Sequence, residues 1–199
     1  MTGLSRVVFA IFLIITLGAV GCSHSETTTP PSSPSPGVKV KIVIYSDPQC
    51  HACYRLYTEI EPQLNTKYGS NPQVSIETKY TSSIGPASSL ATQAMLCASD
   101  QGKYSQYRDS ILTAWNNIGA DAYTLSALEA AAVSLGLNTG TFNSSLESGK
   151  YRQAVTDNTI AAGQLNIDNL PTIFVNDTRI VGVQALDVFT SAIDSELNK

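Results

Sequence analysis

Concentrated positive charge is the first thing this sequence lacks: 12 Lys and Arg stand against 16 Asp and Glu over 199 residues, a net charge of −4, and no basic run stands out. Phosphate binding needs a basic face, which removes nucleic acid from the expected partners. Histidine is nearly missing. His24 and His51 are the only two, and with the distant Cys97 they are too few to complete a four-ligand zinc centre around one close cysteine pair. The wider cysteine spacing and distal histidine of a copper chaperone are absent as well. Cysteine itself is sparse and uneven, at Cys22, Cys50, Cys53 and Cys97. That placement does not look like a disulfide-stapled framework, and the chain is long enough to build a core without staples. Apart from one N-terminal run there is no long hydrophobic stretch, and that run is shorter than the roughly 20 apolar residues a spanning helix needs.

That run decides the expected compartment. Arg6 precedes Val7–Leu17, which continues through Gly18-Ala19-Val20-Gly21 to Cys22. A short positive region followed by an apolar stretch of this length reads as a secretory signal over residues 1–21. Ala19-Val20-Gly21-Cys22 resembles the bacterial lipobox, in which cleavage precedes a cysteine that is then lipidated. Ala19 stands where that pattern most often has Leu. An uncleaved anchor, or ordinary cleavage leaving a free Cys22, are the alternatives. Residues 22–37 are rich in Ser, Thr and Pro and have almost nothing to bury, as expected of an extended, disordered linker between a membrane and a domain.

The folded part is expected from about Val38 to the C-terminus. Val38–Tyr45 is β-branched and apolar, the pattern of a central strand. From Cys50 onward, Cys53, Leu56, Tyr57, Ile60 and Leu64 recur at helical spacing, with Pro62 expected to kink rather than end the helix. Val74, Ile76, Thr78 and Tyr80 alternate with polar residues as a second strand, parallel to the first across the helix. The next strong strand, Thr172–Val175, comes only after a gap far longer than a loop. Three apolar stripes (Leu90, Ala94, Cys97; Tyr104, Tyr107, Ile111, Leu112, Trp115; Leu125, Leu128, Ala132, Leu135) and a segment Lys150–Leu165 predict a helical insertion over about 85–164. Asn176-Asp177 offers a hairpin turn, and Leu186, Phe189, Ile193 and Leu197 a last amphipathic helix.

The chemistry lies at Cys50-His51-Ala52-Cys53. A cysteine at a helix N-terminus faces unpaired N–H groups and the positive end of the macrodipole, which favour its thiolate. A second cysteine one turn on is within disulfide reach and can resolve a mixed disulfide. Cys50 is therefore the expected nucleophile and Cys53 the resolving thiol. His51, as imidazolium, would favour the thiolate further. A purely structural bridge is the bland alternative, but so small a loop contributes little stability. A C-x-x-C beside a βαβ pattern is a redox signature.

Tyr45-Ser46-Asp47-Pro48-Gln49-Cys50-His51-Ala52-Cys53 resembles the active-site segment of DsbA-like thioredoxin-fold oxidoreductases. Pro62-Gln63-Leu64 with Lys67-Tyr68-Gly69, then Leu96-Cys97-Ala98 with Gln101-Gly102-Lys103-Tyr104, then Leu135-Gly136-Leu137, Phe142 and Ser148-Gly149-Lys150-Tyr151, follow the same family in order. So does Leu170-Pro171-Thr172-Ile173-Phe174-Val175-Asn176. The resemblance implies an α/β thioredoxin-like fold with an inserted helical subdomain, and a cis Pro171 facing the sulfurs. A cis proline there exposes the backbone of Leu170 to an extended substrate segment. An edge or strand-start proline is the alternative reading of the residue itself.

The sequence also departs from the family. His-Ala replaces the Pro-His of strongly oxidising relatives. Ile44 stands where some relatives bury a glutamate, leaving Asp47 and Lys79 as candidates for a proton relay near Cys53, with a simply solvated side chain the alternative for either. Ser145 replaces a cysteine of some relatives, so Cys97 is expected to be an unpaired thiol in a helix core. Trp115 is placed by its spacing as core, too distant from the sulfurs to report on them.

The expected protein is thus an exported, lipid-anchored enzyme on the outer face of the cytoplasmic membrane or in the periplasm. It donates its own disulfide to exported polypeptides and is reoxidised by a quinone-coupled membrane partner, with no cofactor beyond the redox-active disulfide and no metal. An envelope reductase or isomerase, for instance in cytochrome c maturation, and a non-catalytic thioredoxin-fold binding module are the competing readings. Two intact cysteines argue against the last.

Overall fold

The computed structural model describes residues 37–199; the signal-like segment 1–21, Cys22, His24 and the linker up to residue 36 lie outside the described residues. The domain is organised around β1 (Val40–Ser46), whose residues Val40, Ile42 and Ile44 are fully buried on one face. β1 runs parallel to β2 (Val74–Tyr80), with Val40 opposite Val74 and Ser46 opposite Tyr80. Its other edge pairs antiparallel with β3 (Thr172–Val175), which pairs antiparallel with β4 (Thr178–Val181). The strand order β2-β1-β3-β4 puts the segment read as a central strand at an interior position of the sheet.

The helix after β1 shows what a proline does inside a helix that must continue. α1 (His51–Arg55) passes into a π-helical turn, Leu56–Ile60, and then into α2 (Glu61–Tyr68). Pro62 has no N–H to donate, and its ring would collide with the Thr58 carbonyl in a regular register. The chain widens by one residue just before it: the Glu61 N–H bonds the Leu56 carbonyl, five residues back, and the helix then proceeds. Leu56, Ile60, Leu64 and Tyr68 therefore keep facing the sheet. They form one core with Val40, Ile42, Ile44, Ile173, Val175, Ile180 and, from α8 (Leu186–Leu197), Phe189 and Ile193. Truncating Phe189 in such a core costs ~3–5 kcal/mol.

Between β2 and β3 stand α3 (Pro86–Ser99), α4 (Tyr104–Ile118), a 3-10 turn at Gly119–Tyr123, α5 (Leu125–Ser134), α6 (Thr139–Glu147) and α7 (Arg152–Gln164). Their apolar faces make a second core around Ala94, Met95, Tyr107, Ile111, Trp115, Tyr123, Leu128 and Phe142. α6 is not among the predicted helices. Only Phe142 and Leu146 of it are buried, too few for a periodic stripe, and its start is marked by Asn138, whose side chain accepts the Thr141 N–H at 2.9 Å. After β3 the chain turns at Asn176-Asp177, Asn176 taking φ 49° as an asparagine can. Among the described residues, no helix is long and apolar enough to cross a membrane.

Candidate active site

The site forms where β1 ends. Thr81 holds the Ser46 carbonyl through both its N–H (2.8 Å) and its hydroxyl (3.2 Å). The next residue, Asp47, is 1 % exposed and turns its carboxylate away from the sheet toward the start of α3. It accepts the Ser88 hydroxyl at 2.5 Å, the Ile84 N–H at 3.0 Å and the Gln49 N–H at 2.9 Å. Burial raises the Asp47 carboxyl above its ordinary value, opposed by those same hydrogen bonds, that from Ser88 first. The Pro48 carbonyl accepts the Tyr123 hydroxyl at 2.9 Å, and desolvation pushes the Tyr123 phenol far upward. The approach to the cysteines is thus fastened at both sides by the helical insertion.

Cys50 caps α1. Its backbone is extended, its N–H bonds the Asp47 carbonyl at 3.0 Å, and its Sγ lies 3.1 Å from the Cys53 N–H that points at it. The first turn of α1 carries no acidic residue, so nothing there opposes negative charge on that sulfur. Cys50 and Cys53 are joined as a disulfide with Cα atoms 5.1 Å apart. Cys50 is partly exposed, while Cys53 is 3 % exposed and packed one turn into the helix.

Leu170–Pro171 is a cis peptide bond, and the Leu170 carbonyl oxygen sits 3.7 Å from Cys50 Sγ. The loop carrying it is held by Thr172, whose hydroxyl donates to the Asn169 carbonyl at 2.6 Å, by Arg179 on the carbonyls of Leu165 and Asn166, and by the Gly182 N–H on the Pro171 carbonyl. Cys50, Cys53, His51, Leu170 and Pro171 are therefore brought together.

Asp47 and Lys79 make separate contacts. Lys79 lies opposite Tyr45 in the β1–β2 register and its Nζ turns to Glu77, 3.9 Å away, while Asp47 spends its carboxylate on Ser88, Ile84 and Gln49. The two groups thus answer to different elements, and Asp47 ties the loop to α3. Cys97 is a free, buried thiol that burial pushes up to about 11. Trp115 overturns the expectation of a remote core tryptophan, because its ring lies 4.6 Å from that of His51. The periodicity placed it correctly on the buried face of α4 but could not tell that this face meets His51. Ser88, Ile84 and Tyr123 were also missed, since each acts by folding back on a loop distant in sequence. Among the described residues, no group of three His, Cys, Asp or Glu side chains is placed to hold a metal ion.

A cysteine pair at the start of a helix, facing a cis proline beside a four-stranded sheet, defines a thiol–disulfide oxidoreductase site on a thioredoxin-like fold. The chain matches the family model described as thioredoxin over residues 30–195, and it belongs to that family. The fold is similar to DsbA of Chlamydia trachomatis, with 22% identity over 86% of this chain and 94% of that one and a TM-score of 0.73. It is similar to a thioredoxin-like oxidoreductase from Silicibacter pomeroyi at 20% identity, 82% and 90% coverage and a TM-score of 0.66. BdbD from Bacillus subtilis has 20% identity, 81% and 89% coverage and a TM-score of 0.64. No curated protein matches the chain in sequence. The protein is a thiol–disulfide oxidoreductase of DsbA-like fold whose redox pair is a Cys50–Cys53 disulfide.

Proposed function

We propose that this enzyme is an oxidase of exported proteins, tethered by lipid on Cys22 and reoxidised by a quinone-coupled membrane partner. The observation that carries the oxidase reading is the setting of Cys50: a partly exposed sulfur capping α1, with the Cys53 N–H aimed at it from 3.1 Å. An N–H in that position stabilises a thiolate more than a disulfide sulfur, so it favours the reduced enzyme and makes the disulfide a stronger oxidant. The signal-like run 1–21, the lipobox-like Ala19–Cys22 and the Ser/Thr/Pro-rich linker support export and tethering.

In the forward step a client thiolate attacks Cys50 Sγ, the Cys50–Cys53 bond breaks, and Cys53 leaves as thiolate. The client's second thiolate then attacks the client sulfur of the mixed disulfide and expels Cys50 as thiolate. The client loses two electrons and two protons overall, and the enzyme ends as the dithiol. The backbone N–H of Leu170 has no hydrogen-bond partner among the described residues, and the Leu170 carbonyl lies beside Cys50 Sγ. An extended client segment pairs there as an added strand while its cysteine meets Cys50.

The test is Cys53→Ser. The variant holds no disulfide of its own, but its Cys50 thiolate attacks the disulfide of an oxidised client and one client sulfur leaves as thiolate. With no Cys53 to displace the client, the Cys50–client disulfide accumulates, visible on a gel run non-reduced and then reduced. No adducts from this variant, with Cys50 intact, would contradict the proposal and favour a non-catalytic binding module.

A further inference from the structure

His51 stands at the first position of α1, immediately after Cys50, and is solvent-exposed. Its own helix gives it little support: the residues one turn on are Tyr54, which pairs with Tyr57, and Arg55, which pairs with Glu59. Among the described residues, neither imidazole nitrogen has a hydrogen-bond or ion-pair partner. What the ring does touch is an indole from the other half of the domain. Trp115, on α4, is 5 % exposed, and its ring centre lies 4.6 Å from that of His51 with the planes tilted by 55°. The indole is fixed by its neighbours in the helical core, which include Ile111, Leu112, Ala122 and Tyr123. A rigid aromatic surface thus meets a side chain that nothing else holds. Contacts of this kind favour one ring placement over others by roughly two- to tenfold, and more when the imidazole carries a proton and meets the ring as a cation.

We propose that Trp115 is a positioning residue of the redox site: its indole seats the His51 ring beside Cys50, so that the histidine's support of the Cys50 thiolate depends on the helical insertion. The proposal rests on the assignment of Cys50 as the nucleophile. It gives the tryptophan of the buried face of α4 a role in addition to packing, at the point where that face meets His51. It also ties thiolate stabilisation to the placement of α4 against α1.

The sequence contains one tryptophan, so all tryptophan emission comes from Trp115. A protonated imidazole against an indole quenches emission. The first experiment follows emission of the reduced protein across the histidine titration range in the unsubstituted enzyme and in His51→Ala. The expected result is a fall on acidification that His51→Ala abolishes; a profile that His51→Ala leaves unchanged overturns the proposal, and this measurement needs no change to the core. The second compares the rate of Cys50 alkylation and the equilibrium with glutathione across Trp115→Leu, Trp115→Phe, His51→Ala and the double variant His51→Ala/Trp115→Leu. Leucine keeps apolar volume and removes the ring; phenylalanine keeps a ring.

Trp115→Leu is expected to slow alkylation and shift the equilibrium toward the disulfide by about three- to tenfold, as His51→Ala does, with Trp115→Phe within about twofold of the unsubstituted enzyme and no further loss in the double variant. A Trp115→Leu effect that recurs in full without His51 means that the residue acts by packing, and the proposal fails. Cys50 and Cys53 alkylated equally in the unsubstituted enzyme would instead bring down the nucleophile assignment itself, so the two failures are told apart.

Discussion

Asp47→Ala removes a carboxylate that three donors share, and the structure sets the size of the loss. The Ser88 hydroxyl keeps a partner, because Gln49 Oε1 accepts from it at 3.0 Å. The N–H groups of Ile84 and Gln49 keep none. Leaving a buried donor unpaired costs ~1–3 kcal/mol, and less where water can reach it, as at the exposed Ile84. Against this stands relief from holding a carboxylate at 1 % exposure, the burial that raises its pKa. The net expectation is a destabilisation of about 1–3 kcal/mol, or roughly 2–12 °C in Tm for a domain of this size. Asp47→Asn keeps one oxygen and presents an NH2 group to the remaining donor, so it should lose about 1–2 kcal/mol. The pH dependence separates the two effects. Because the folded carboxyl binds its proton more tightly than the unfolded one, Asp47 contributes stability at low pH that is lost as pH rises from the ordinary value of 3.8 through the raised folded value. The cost of Asp47→Asn relative to the native chain should therefore be larger near pH 4 than near pH 7. Urea unfolding of the oxidised forms at both pH values measures this. An Asp47→Ala change within about 0.5 kcal/mol of the native chain would refute the role as a tie between the active-site loop and α3.

Cys97 should resist alkylation in the folded protein at neutral pH and react only on unfolding, since it is buried and its thiol is pushed up to about 11; labelling at the Cys50 rate would show that α3 opens. Arg108→Ala should cost ~3–5 kcal/mol, read by thermal unfolding, because it strands Glu61, 6 % exposed and 3.5 Å from Arg108, as an unpaired buried carboxylate. Glu61→Gln should cost less than Arg108→Ala, as it removes the charge together with its need for a partner. Mass spectrometry of the native protein should find a mature N-terminus at lipidated Cys22, and an unlipidated chain beginning elsewhere would end the tether proposal.

What was legible in the sequence is what local chemistry writes. Pro62 announced its distortion because no helix can supply the missing N–H. The apolar β-branched run of β1 announced an interior strand, and Cys50 its capping place, because a helix pattern starts there. Asn176-Asp177 marked the hairpin because a tight reversal needs a residue at ease with positive φ. The rest depends on which surfaces meet. α6 buries two large side chains and so has no stripe to read. Asp47 and Lys79 were named because Ile44 replaces the buried glutamate of some relatives, and which partners each would take was not legible: Lys79 turns along β2 to Glu77 and Asp47 to Ser88. Trp115 read as core and is core; that its outer surface meets His51 follows from the docking of α4 on α1, which no window of sequence contains. Tyr123 on the Pro48 carbonyl is of the same kind.

The most direct test of the oxidase account is the reduction potential of the Cys50–Cys53 couple, obtained by equilibration with glutathione and quantitative alkylation, with the emission of Trp115 as a parallel signal. Stabilisation of the Cys50 thiolate by the α1 N-terminus, with His51-Ala52 rather than Pro-His between the sulfurs, predicts an intermediate value, between about −270 mV for thioredoxin and about −120 mV for DsbA. A potential at or below that of thioredoxin would contradict the account and make the enzyme a reductase.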